Sequence, residues 1–229
     1  MRQIVLDTET TGLEAKDGHR IIEIGAIELI GRRLSDRRLH RYCNPERDSD
    51  PAALAVHGLT RDFLADKPLF AEVVADLIEF VSGAEVIIHN APFDLSFLDA
   101  EFARLDRTFF SDHCEKVTDS LRLARELHPG KRNSLDALCE RYSISNRHRT
   151  LHGALLDAGL LAEVYLAMTR GQDSLVMPLA PSVQSQETTP VTKEELIVLV
   201  ADAREIAAHE ALLDSIERDG GALPVWRAN

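Results

Sequence analysis

Two periodicities alternate along the chain. Residues 2–9, 20–29 and 37–43 are short apolar-rich runs that predict strands, and Gly31 marks a turn between the second and third. An antiparallel meander is therefore expected at the start. From Phe70 the spacing changes: Phe70, Val73, Val74, Leu77, Ile78 and Val81 fall at i, i+3, i+4, i+7, i+8 and i+11, one face of a helix that Gly83 ends. AEVIIHN (84–90) then reads as a buried strand. That strand–helix–strand order predicts a parallel addition to the sheet. Helical segments follow at about 93–105, 118–127, 134–142 and 153–169.

The pattern breaks at 171–192, a stretch with three prolines and several Ser, Thr and Gln that reads as a linker. Beyond it, ELIVLV (195–200) is a candidate strand. Asp202 followed by Glu205 forms a capping-box start for a helix that runs to Gly220-Gly221. The expected organisation is a domain over 1–170, a linker over 171–192 and a tail over 193–229.

Composition narrows the class. No apolar run approaches the roughly 18–20 residues of a membrane span, and the chain enters a strand pattern at once, unlike a signal peptide. Cys43, Cys114 and Cys139 are scattered, odd in number and never in a CxxC pair, which predicts reduced thiols in a cytoplasm. Formal net charge is −12. It divides into −6 over 1–170 (22 Lys+Arg, 28 Asp+Glu) and −6 over the remaining 59 residues (4 and 10). This argues against a basic, non-specific nucleic-acid binder. It does not exclude an enzyme that meets phosphates through metal ions, because a bound cation dominates the local charge.

The candidate chemistry lies in three short segments. In IVLDTETTGL (4–13), Asp7 and Glu9 follow a buried run two residues apart, so they project from the same strand face and need a compensating cation. Thr10, Thr11 and Gly12 supply a turn. In HNAPFD (89–94), Asp94 follows a buried strand at a helix start, where it either caps the helix or serves a site. In LHGALLD (151–157), His152 and Asp157 are five residues apart. Five helical steps leave them roughly 140° apart, so they converge only if His152 precedes the helix and Asp157 lies in its early turns. Carboxylates are hard oxygen ligands suited to Mg²⁺ or Mn²⁺, and a histidine titrating near neutrality suits a general base.

DTETTG, HNAPFD and HGALLD, in this order and spacing, resemble the three motifs of the DEDDh 3′–5′ exonucleases, over all of 1–170. The resemblance implies an α/β, ribonuclease H-like fold: a mixed five-stranded sheet flanked by helices. It implies two divalent metal ions, Mg²⁺ or Mn²⁺. Asp7, Glu9 and Asp157 would hold the catalytic metal, Asp7 would bridge to the second ion, and Asp94 would assist directly or through water. His152 would be the general base. Thr10, His57 (in AVHGLT), Asn90 and Phe93 would line the site of the 3′-terminal nucleotide, with Asp7, Glu9 and Asp157. Some members carry a Glu five residues before the histidine of VHG; Ala52 stands here, so that contact does not transfer.

The regions after the core resemble those of family members that proofread for bacterial replicative polymerases. QDSLVM (172–177) is similar to their sliding-clamp peptide, with Gln172, Leu175 and Met177 as anchors. AAHEALLDSIERDGG and VWRA resemble the segment that ties them to the polymerase catalytic (alpha) subunit, through 193–229. A small accessory subunit on the exonuclease domain is a further implied partner, and the replisome in the cytoplasm the implied location. Two alternatives stay open: a stand-alone ribonuclease of the same family, and a non-catalytic subunit bridging polymerase and clamp.

Overall fold

Ile4, Val5 and Leu6 have no exposed surface. Consecutive burial of this kind requires cover on both faces of a strand, and the computed structural model provides it. The structure describes residues 1–146, 151–170, 201–220 and 226–227, and the chain divides into two compact units, 1–177 and 178–229. In the first, β1 (Arg2–Thr10), β2 (Ile21–Ile30), β3 (Arg33–Tyr42), β4 (Glu85–Ile88) and β5 (Lys116–Asp119) form one sheet in the order β3-β2-β1-β4-β5. β2 runs antiparallel to β1 and β3, while β1, β4 and β5 are parallel. The mixed five-stranded sheet is the expected one.

Helices cover both faces. The even residues of β1, Ile4 and Leu6, pack with α3 (Phe70–Val81) and α4 (Ala91–Ala103) in the larger core. On the odd face, Val5 meets Leu161, Ala162 and Tyr165 of α7 (Ala154–Met168). Behind α7, Leu160, Val164 and Met168 pack on α5 (Ser120–Leu127) and α6 (Leu135–Tyr142).

Three local readings change. The third strand starts at Arg33, not 37, because Gly31 and Arg32 (φ 55° and 65°) make a two-residue turn that pairs Ile30 with Arg33 directly. Residues 116–119, partly assigned to a helix, are instead β5, held by parallel pairing to β4; the helix begins at Ser120, with Asp119 as its N-cap. Residues 51–65, given no element from the pattern, form α1 (Pro51–His57) and α2 (Arg61–Ala65).

In the second unit, α8 (Ala203–Gly220) starts at the expected capping box: Glu205 N–H donates to Asp202 Oδ1 at 2.9 Å and Asp202 N–H to Glu205 Oε2 at 2.9 Å. Arg227 pairs with Glu210, Asp214 and Glu217 of the same helix. Leu213 is buried, whereas Ile206, Leu212 and Ile216 are 52%, 59% and 45% exposed. The linker, its peptide 172–177 with Gln172, Leu175 and Met177, and the candidate strand 195–200 lie outside the described residues.

Candidate active site

The C-terminal end of β1 carries the site. Asp7 and Glu9 stand on its odd face, opposite Gly25 and Glu23 of β2. Gly25 decides what can approach them. A Cβ there would lie 2.2 Å from Ala154 C and Leu155 N. The first turn of α7 therefore rests its backbone on β2 where a side chain is missing. Asp157 lies in that turn, its N–H bonded to Gly153 O, and is 3% exposed. His152 precedes the helix, as the angular argument requires, and is anchored by its N–H to Val56 O of α1 at 3.1 Å. Its Nδ1 lies 3.3 Å from Asp157 Oδ2.

Glu9, His152 and Asp157 each bring one ligand atom within 4.8 Å of the others. Two carboxylates this close repel one another, and a bound cation would offset that repulsion. The two carboxylate oxygens suit a hard divalent ion, with the His152 ring beside them. Asp7, half-buried and two residues back on the same face, flanks the group.

Asp94 stands apart. It does not cap α4, whose N-cap is Asn90 in the left-handed region (φ 66°). It faces the even side of β1, where the Thr8 hydroxyl donates to its Oδ1 at 2.7 Å. Burial pushes its carboxyl up to about 7, against the Thr8 bond, which lowers it. A carboxyl raised on folding holds more protons folded than unfolded between 3.8 and about 7, so it destabilises progressively across that window and by a constant amount above it. Asp94→Asn is thus expected to raise the Tm of the metal-free chain by a few degrees at pH 8 and not at pH 4. Thermal melts in a chelator at the two pH values check this; equal shifts at both would contradict it.

Around this centre the other expected residues are placed as follows. His57, 3% exposed, closes α1; its Nδ1 accepts from Leu59 N–H at 2.9 Å, and its buried Nε2 has no hydrogen-bond partner among the described residues. Burial lowers its pKa, so the ring is neutral near pH 7 and Nε2 carries the proton. Thr10 turns inward, its hydroxyl donating to Gly12 O at 2.7 Å. The space beside Gly12 holds the His19 ring, 2.3 Å from where a Cβ would be. Phe93 packs on Phe97, ring centroids 5.1 Å apart.

Thr8, Glu23 and Gly25 were not read from the sequence. Glu23, 3% exposed, faces the same side as Glu9 across the β1–β2 pair and binds His40 Nε2 at 2.7 Å. Its signal was a lone acid inside IIEIGAI, at the even spacing that shares a face with Gly25.

Sheet order, flanking helices and an acid–histidine cluster at the end of the first strand define a nuclease of the ribonuclease H-like type. The exonuclease family model (RNase_T) matches residues 4–165. The chain is 51% identical, over 239 aligned residues, to DNA polymerase III subunit epsilon of Salmonella typhimurium, covering 99% of this chain and 98% of that one. Exonuclease X in complex with 5′ overhanging duplex DNA superposes with a TM-score of 0.56 at 25% identity, over 73% of this chain and 91% of that one. The nuclease domain of 3′hExo, a DEDDh family member, bound to rAMP, superposes with a TM-score of 0.63 at 17% identity, over 74% and 92%. The chain belongs to the exonuclease family, in its DNA polymerase III subunit epsilon branch.

Proposed function

We propose that this chain is the proofreading exonuclease of a replicative DNA polymerase, cutting the 3′-terminal phosphodiester and releasing deoxynucleoside 5′-monophosphates. The observation that carries the reading is the convergence of Glu9, near the end of β1, with His152 and Asp157 at the start of α7. Glu9 and Asp157, with Asp7 and Asp94, would hold two divalent ions, Mg²⁺ or Mn²⁺. When bound, these supply the positive charge that makes water acidic and offsets phosphate charge. His152 takes the proton of the attacking water. Its Nδ1 side faces Asp157, which orients the ring and leaves Nε2 as the acceptor. Phosphorus is attacked in line and the bond to the 3′ oxygen breaks. His57 donates through Nε2 to the terminal nucleotide, with Thr10, Asn90 and Phe93 lining its pocket. A mismatched end frays at lower cost than a paired one, so selection needs no base reading.

The exposed face of α8 suits docking on the polymerase catalytic subunit, and residues 172–177 suit a sliding clamp. An accessory subunit on the exonuclease unit and a cytoplasmic replisome complete the reading.

His152→Ala is expected to lower turnover by about 10²–10⁴-fold, the range for a general base, while single-stranded DNA binding stays within about threefold. Single-turnover kinetics and anisotropy measure the two separately. Equal turnover in variant and wild type would remove His152 from this role.

A further inference from the structure

A cavity of about 420 Å³ opens at the C-terminal ends of β4 and β5, lined by His89, Asn90, Arg125, Lys131, Asn133 and Ser134. In a chain of net charge −12, its charged lining is cationic. Arg125 and Lys131 are both exposed, and among the described residues neither forms a salt bridge. Burial, foremost, and the Arg125 charge lower the pKa of His89, against Asp119 and the Asn133 backbone. The nearby Asp119 carboxylate already accepts from the N–H groups of Asn90 and Leu121.

The loop carrying Lys131 is held in shape by side chains. Asn133 is 7% exposed, and its amide donates to His128 O at 3.3 Å and Lys131 O at 3.1 Å. Arg141 donates to Asn133 Oδ1 at 3.1 Å and to Arg132 O at 2.7 Å. Ser134 caps α6, so the positive end of that helix also faces the cavity. The loop geometry is set without a ligand, which lowers the ordering cost of binding one.

The position relates this pocket to the β1 site. β1, β4 and β5 are successive parallel strands. At about 4.8 Å per strand, β5 lies roughly 10 Å from β1, and Asn90 belongs to both the turn before α4 and the pocket wall. We propose that Arg125 and Lys131 form a phosphate subsite for the DNA strand on the 5′ side of the scissile bond. The proposal rests on the nuclease reading of the β1 site. Cations in a preformed groove track a single-stranded backbone without reading sequence.

The test compares wild type with Arg125→Ala/Lys131→Ala on two substrates: the p-nitrophenyl ester of thymidine 5′-monophosphate, with one phosphodiester, and a ten-nucleotide DNA single strand. For the variant, KM on the strand is expected to rise about tenfold. The salt dependence of log KM should flatten by about 0.7 for each phosphate no longer neutralised, with ester turnover unchanged. Anisotropy of the labelled strand in EDTA should show the same tenfold weakening without hydrolysis. An unchanged strand KM and salt slope, or equal slowing on both substrates, would overturn the subsite. A wild-type chain inactive on both substrates would overturn the nuclease reading itself, and the subsite with it.

Discussion

Asp157→Asn is expected to reduce turnover by on the order of 10³-fold. The carboxylate is 3% exposed and shares a 4.8 Å cluster with Glu9 and His152. Its Oδ2 also lies 3.3 Å from His152 Nδ1. One isosteric change therefore weakens the divalent site and frees the orientation of the base. Lewis-acid stabilisation contributes several kcal/mol, and each 1.4 kcal/mol or so is a decade in rate. The fold should survive, because asparagine fills the same volume and removes repulsion with Glu9. Calorimetric titration with Mn²⁺ should show weakened binding, and the Tm of the metal-free chain should not fall. Full turnover with unchanged Mn²⁺ affinity would contradict the cluster's role.

The second large effect lies outside the motifs. Gly25→Ala would put a Cβ 2.2 Å from the backbone of Ala154 and Leu155. Ordinary contact needs more than 3.4 Å, so α7 or β2 must move by an ångström or more. Overpacking of this kind destabilises by about 1–3 kcal/mol. A misplacement of about 1 Å in a catalytic group lowers the rate by on the order of 10²-fold. Gly159 supplies the control within the same helix: among the described residues, a Cβ there meets only Ile27 Cδ1 at 3.5 Å. Gly159→Ala should keep activity within about twofold and raise stability by up to about 1 kcal/mol, the helix gain of alanine over glycine. Steady-state kinetics and melts on both variants check the contrast. Equal behaviour of the two would contradict the packing argument.

The contrast between these glycines explains what the sequence could carry. Asp7 and Glu9 were legible because strand parity is local: two residues apart means one face. His152 and Asp157 were legible because helical geometry forbids them a common face, which forced the histidine ahead of the helix. Gly25 was not legible, since its importance depends on where α7 crosses β2, more than a hundred residues later in the chain. Glu23 needed the antiparallel register that sets it opposite Glu9. Asp94 read as a helix cap or site acid, because its actual partner, Thr8, comes from another element. β5, four residues with one apolar side chain, is made a strand by pairing with β4 and not by its own pattern. For α1, Asp50-Pro51 was a readable start signal that the strand and helix periodicities around it obscured.

The central claim is a metal-dependent 3′–5′ exonuclease built on Glu9, His152 and Asp157. It is tested most directly by incubating the purified chain with a DNA single strand labelled at its 5′ end, with Mg²⁺ or Mn²⁺. The account predicts a ladder shortening one nucleotide at a time from the 3′ end, with 5′-monophosphates as products, and no ladder with chelator or with Asp157→Asn. Degradation from the 5′ end, or an undiminished ladder from Asp157→Asn, would contradict it.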